Sequence, residues 1–200
     1  MLLENTPTLS TPRLTLRKFT EADAPAFWQI MRDEVVNTYL PWFPVKSLGE
    51  AEAMLSERYL AEYARPVAYR YAVCLADNLP IGYVGVGDGP SYDLGYGLRR
   101  EFWHRGITTE AAAAVASRVK AAGCPYITAT HDVNNPRSGE VMKRLGMTYR
   151  YSYVEQWHPK DITVTFRMYQ LNFDETDTTY MGYWERYPEH FIEEWPRMRI

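Results

Sequence analysis

Residues Arg13-Leu-Thr-Leu-Arg17 alternate polar and apolar, the period-two pattern of a half-buried strand. Further runs rich in β-branched and aromatic residues predict strands over 69–76, 80–86, 92–98, 126–131, 148–157 and 162–171. Turn residues separate them: Asp77-Asn78, Asp88-Gly89-Pro90 and His158-Pro159-Lys160-Asp161. Helix-start signals fall between these runs. Thr20-Glu21-Ala22-Asp23 predicts a helix reaching Arg32, and Ser47-Leu48-Gly49-Glu50 opens a second, reaching Ala64. That second helix carries Ala51, Met54, Leu55 and Arg58 on one side. An alanine-rich helix spans 108–122 and stops at Gly123-Cys124-Pro125. A last one runs from its cap Asn135 to Leu145, with Gly146 at the exit.

The order β-α-α-β-β-β-α-β-α-β-β predicts an α+β fold, a mixed sheet with helices on both faces. Residues 1–171 form this domain. Residues 172–200 differ: Tyr180, Tyr183, Trp184, Tyr187, Phe191 and Trp195 are too many aromatics for a disordered tail. They read as an extension packed on the domain or on a partner subunit, which makes a homodimer plausible.

Composition narrows the classes. At 200 residues the chain can bury a sizeable core without disulfide or metal staples. A net charge of −3 gives no support to a nucleic-acid partner, and Arg197 and Arg199 are too few for a basic patch. No apolar run approaches a membrane span, and the N-terminus lacks a signal-peptide pattern, so a cytoplasmic location is expected. Cys74 and Cys124 read as reduced thiols, and no spacing suggests a metal site. Gly82, Gly85, Gly87 and Gly89 fail the dinucleotide spacing, since Pro90 stands where the third glycine belongs and a strand follows.

The chemistry-bearing stretch is 92–112, where a strand feeds a short loop and then a helix. The first amides of a helix have no internal partners, and its dipole is positive there, so Trp103-His104-Arg105-Gly106-Ile107-Thr108-Thr109 can cradle a phosphate. Gly106 allows close backbone approach, and Arg105 or Arg100 adds charge.

Three motifs in order resemble the GNAT N-acetyltransferase superfamily, near the ribosomal-protein alanine N-acetyltransferases. They are Asp93-Leu94-Gly95-Tyr96, then Trp103 to Ala111, then Asn135-Pro136-Arg137-Ser138 ending at Leu145-Gly146-Met147. The resemblance covers about residues 12–171. It implies a splayed central sheet of about seven strands and transfer of an acetyl group from acetyl-CoA to an amine. Coenzyme A would be held by Leu98, by Trp103, by the amides from His104 through Arg105, Gly106, Ile107 and Thr108 to Thr109, and by Asn135. Ser138 would lie near the thiol and protonate it as it departs. A backbone N–H of the Asp93–Leu98 strand would polarise the thioester. His104 and Thr108 depart from the small residues usual in this loop, and Met142 stands near a common tyrosine-acid position.

A protonated amine needs a base. Asp93 matches the family's carboxylate position and is the first candidate; His131 is the second. Tyr39, Trp42 and Phe43, between the first two helices, either wall an acceptor site or pack the loop, and aromatic faces suit cationic amines. The acceptor is a small-molecule amine or a protein N-terminus. The rival reading is a non-catalytic acyl-CoA-binding or interaction module, suggested by His104, Met142 and the aromatic tail.

Overall fold

The computed structural model describes residues 4–65 and 69–194. Trp195, Arg197 and Arg199 lie outside them. The first sheet has the order β1-β2-β3-β4-β5, formed by β1 (Leu9–Ser10), β2 (Thr15–Arg17), β3 (Tyr69–Cys74), β4 (Pro80–Val86) and β5 (Leu94–Leu98). The second has the order β6-β8-β7-β9, formed by β6 (Tyr126–Asp132), β7 (Thr148–Trp157), β8 (Ile162–Asn172) and β9 (His190–Phe191). The seven expected strands all form. β1 and β9 are additions of two residues each, too short to show alternation.

Every ladder within the sheets is antiparallel. The expected mixed sheet is instead two antiparallel sheets, joined between the splayed strands β5 and β6 by one parallel bridge, Asp93 with Thr128. Thr128 N–H donates to Tyr92 O (3.3 Å), and its hydroxyl donates to Ser91 O (2.9 Å). Beyond this point the two strands part.

Helices cover both faces of the first sheet. α3 (Ile107–Ala121) packs Ile107, Ala111, Ala112, Val115 and Val119 against Val84, Val86, Leu94 and Leu98. On the other face, α1 (Ala24–Met31) and α2 (Leu48–Leu55) bury Phe27, Ile30 and Leu55, and Tyr59 follows just after α2, over Ala72, Cys74 and Tyr83. Ser47 Oγ accepts from Glu50 N–H (3.2 Å), and Glu50 turns back to Lys46 N–H (2.8 Å). The expected helix over 47–64 is not uniform. After Leu55 it widens into a π turn, Ser56–Leu60, and then tightens into a 3₁₀ turn, Ala61–Ala64. α4 (Pro136–Arg144) lies beside β6. Its close approach depends on Gly139, where a Cβ would stand 2.6 Å from His131 Nε2. Among the described residues, no helix is long and apolar enough to cross a membrane.

The chain after β8 folds back along its own second sheet. Tyr151 OH donates to Tyr180 O (2.7 Å), and the side chain of Gln170 bonds Thr178 O and Tyr180 N–H (both 2.8 Å). α5 (Gly182–Arg186) follows, and β9 then pairs with β7 at Ser152 and Tyr153. Tyr153 stacks on both Tyr183 (5.2 Å) and Tyr187 (4.8 Å). Arg167 grips Glu193 with two nitrogens (2.8 Å each), and Ser152 Oγ adds a third bond (2.8 Å). Bidentate charge-assisted bonds of this kind fix geometry as well as energy. Glu193→Ala should therefore cost about 1–2 kcal/mol, a fall of about 2–8 °C in thermal midpoint. An unchanged midpoint by calorimetry would show that the extension is not held by this pair.

Candidate active site

The parting of β5 from β6 opens a cleft of about 1450 Å³. Its floor follows from the ladder to β4. Gly87 N–H donates to Asp93 O (2.9 Å) and Arg99 N–H to Ile81 O (2.8 Å). In an antiparallel pair, alternate residues face the partner strand. Positions 93, 95, 97 and 99 therefore bond to β4. The amides of Leu94, Tyr96 and Leu98 turn to the edge that β6 has left. A free strand edge inside a cleft is a row of donors and acceptors awaiting a ligand.

The loop after β5 is built by its backbone. Trp103 Nε1 donates to Leu98 O (2.7 Å). His104 takes φ 61° and Gly106 φ 72°, both left-handed. This accounts for a glycine at the first of these positions in the resembled motif, and His104 adopts the same conformation with its ring exposed. α3 begins immediately afterwards, so the amides of Ile107, Thr108 and Thr109 have no intrahelical acceptor. The first turn is anchored from a distance. The Glu110 carboxylate accepts from Thr11 Oγ1 (2.6 Å), Arg13 N–H (3.1 Å) and Arg13 Nε (2.6 Å), while Arg13 Nη1 donates to Arg105 O (2.8 Å). Burial alone would raise the Glu110 carboxyl, but these bonds hold it below the usual range.

Across the cleft stands the start of α4. Asn135 occupies the N-cap position without a side-chain cap bond, and it lines the cleft. Ser138 meets Tyr96 of β5: the tyrosine hydroxyl lies 2.9 Å from both Ser138 O and Ser138 Oγ. Burial pushes the Tyr96 hydroxyl well above its ordinary range, so it keeps its proton at neutral pH. Sequence reading gave Tyr96 no role. Its only signal was its place in the Asp93–Tyr96 motif. Met142 is buried beneath, and the phenol near this point comes from the strand instead.

Asp93 lies at the apex of the fork. Its Oδ1 is 3.5 Å from Thr128 Oγ1, and Tyr183 of the extension also bonds to it. Burial pushes its carboxyl up to about 6, against those weaker bonds. His131 is different. Its ring is buried, Nδ1 pairs with Asp132 O (2.8 Å), and Nε2 abuts α4 with no partner among the described residues. Burial lowers its pKa, so it is neutral; its ring packs against Gly139 of α4, and His131 is also among the residues that line the cleft.

The expected acceptor wall is only partly assembled. Tyr39 and Trp42 line the cleft, whereas Phe43 is 56% exposed and is not among the lining residues. A face of Trp42 already carries the Arg58 guanidinium, 4.1 Å from the ring centroid, so that face is not free for an amine. Sequence reading missed the opposite wall: Tyr153, Glu155 and Trp157 of β7, with Tyr183 and Tyr187 of the extension.

A buried carboxyl whose pKa is raised disfavours its own charge in the folded state. The cost is absent below the ordinary value of 3.8, grows as pH rises through about 6, and is constant above that. Asp93→Asn should therefore raise the thermal midpoint at pH 8 relative to the parent, and the difference should vanish at low pH. A pH-independent difference would show that Asp93 is not held in this way.

Comparison with known proteins agrees with this geometry. The family described as acetyltransferase (GNAT) domain matches residues 13–148. The uncharacterized N-acetyltransferase YoaA of Bacillus subtilis (strain 168) is 26% identical over 146 residues, covering 70% of this chain and 82% of that protein. The Salmonella typhimurium acetyltransferase that modifies the N-terminal serine of ribosomal protein L7/L12 superposes with a TM-score of 0.71 at 19% identity, covering 82% of this chain and 97% of its own. The microcin C7 self-immunity acetyltransferase MccE, solved with acetyl-CoA and AMP, superposes with a TM-score of 0.71 at 15% identity, covering 81% and 93%. A cleft at a splayed strand pair, a left-handed loop opening a helix, and a family match over two-thirds of the sequence have one reading: this chain belongs to the GNAT acetyltransferase family and is an N-acetyltransferase.

Proposed function

We propose that the cleft transfers an acetyl group from acetyl-CoA to a primary amine, with Asp93 as base and the Tyr96–Ser138 pair as proton source. The observation that carries this reading is the fork itself. It sets a raised-pKa carboxylate, a row of free strand amides and a protonated hydroxyl pair around one gap. The solved neighbour MccE holds acetyl-CoA on the same fold. Here the residues fit that ligand. The amides of His104 to Thr109 and the start of α3 suit a pyrophosphate. The open edge of β5 suits an amide-bearing arm, which Asn135 can also bond.

The chemistry follows from proton affinities. Free amines have pKa values near 8 to 10, so an acceptor arrives protonated. Asp93, poised at about 6, is ionised at neutral pH and takes that proton directly or through a water. The freed lone pair forms the C–N bond at the thioester carbonyl. The Tyr96 or Leu98 amide stabilises the oxygen as charge develops there. The C–S bond breaks, and the thiolate takes the Ser138 proton, which Tyr96 replaces from its own hydroxyl. The nitrogen gives up its second proton as the amide forms. That proton returns to Tyr96 through water, while Asp93 releases the first to solvent.

The test is thiol release with acetyl-CoA over an amine panel. Asp93→Asn should lower kcat about 10²–10³-fold and remove the acid limb near pH 6. Tyr96→Phe and Ser138→Ala should each cost about tenfold, since either leaves one hydroxyl in place. Full activity in Asp93→Asn would end the base assignment. Absence of coenzyme A binding by calorimetry would end the whole reading.

A further inference from the structure

The acceptor half of the cleft has features that the transfer chemistry does not use. Its floor is almost free of side chains. Leu94 and Leu98 turn into the core beneath α3, which leaves Asp93, Gly95 and Gly97 on the other face of β5. Gly85 pairs with Gly95, and both line the cavity. A Cβ at Gly95 would meet nothing within 4 Å, so open space lies above it. At Gly97 a Cβ would stand 2.5 Å from the Tyr83 ring, so Tyr83 bounds the trough at that end. From Asp93 to Gly97 is four residues, about 13 Å of strand.

At the Tyr83 end stands Arg58. Arg58, Tyr59 and Tyr83 all line the cavity. The π turn presents Arg58, and Trp42 supports it from one side. Trp42 is fixed in turn by Asn37, which is fully buried and bonds Ile30 O (3.0 Å), Asp33 O (2.8 Å) and Trp42 Nε1 (3.3 Å). A buried asparagine thus holds an indole, and the indole holds a guanidinium against the cavity. Arg70 nearby has Glu62 as its partner (3.4 Å). Arg58 has no carboxylate partner among the described residues. A guanidinium is a planar fork of donors that matches a carboxylate.

The acceptor half is also bridged by contacts between its walls. Lys160, at the tip of the β7–β8 hairpin, donates to Asn37 O (2.9 Å) and Thr38 O (3.1 Å). This ties the wall carrying Trp157 to the loop carrying Trp42. On the far side the extension supplies Tyr183 and Tyr187. A trough bridged at two places, with a carboxylate at one end and a guanidinium at the other, suits a small zwitterion better than a folded protein's terminus.

We propose that the acceptor is a compact amino-carboxylate, its amine at Asp93 and its carboxylate bound by Arg58. This rests on the transferase reading above and names the substrate class of the same site. Arg58 is then a specificity-determining residue that takes no part in the proton transfers.

The test uses the full chain with acetyl-CoA and matched acceptor pairs. α- and ω-amino acids of increasing length are compared with their carboxamides and with a peptide bearing a free N-terminus. Coenzyme A affinity is measured in parallel by calorimetry. Amino acids should exceed their amides by at least about tenfold in kcat/KM, from a charge-assisted bidentate contact. In Arg58→Gln that advantage should collapse through KM, with kcat little changed, and Arg58→Lys should keep part of it. Equal use of acids and amides overturns the proposal. So does a carboxylate preference that survives in Arg58→Gln, or turnover of the peptide alone. If coenzyme A binds and none of the panel is acetylated, this proposal fails. If coenzyme A does not bind, the transferase reading fails with it.

Discussion

The two sheets share one parallel bridge, Asp93 with Thr128, and the site depends on their parting just beyond it. A strand that loses its neighbour leaves amides and carbonyls unpaired, which is costly inside a protein unless something else satisfies them. Here the edge of β5 is held open by what stands opposite. α4 sits close on β6 because Gly139 meets the His131 ring without a Cβ, and Ser138 is thereby brought to the Tyr96 hydroxyl. The gap is thus fixed by packing on one side and by a hydrogen-bonded pair on the other.

Around this gap, distant parts of the chain set local geometry. Arg13 and Thr11 reach the first turn of α3 across nearly a hundred residues of sequence and hold Glu110 and the Arg105 carbonyl in place. The chain after β8 returns along β7 and sets Tyr183 beside Asp93. The carboxylate at the fork is therefore enclosed partly by residues outside the family match at 13–148. Burial raises its pKa, and the bond from Tyr183 acts the other way.

Much of this was legible from the residues. Alternation located β2, runs rich in β-branched and aromatic residues located the six other longer strands, and the capping signals at Thr20 and Ser47 located the first helices. The phosphate-friendly loop was readable because helix starts and left-handed positions leave local marks. What was illegible is long-range. No local pattern pairs Tyr96 with Ser138, Arg58 with Trp42, Arg167 with Glu193 or Lys160 with Asn37. Phe43 looked like Trp42's equal because both sit in one aromatic loop, yet the chain turns between them and only Trp42 lines the cleft.

The central claim is that coenzyme A lies along the open edge of β5 with its pyrophosphate at the start of α3. Amide-resolved NMR of the ¹⁵N-labelled chain titrated with coenzyme A tests it most directly. The account predicts that the largest shifts fall on His104 to Thr109 and on Leu94, Tyr96 and Leu98, with smaller ones across β3 and β8. Saturable binding that leaves those amides unmoved would contradict it.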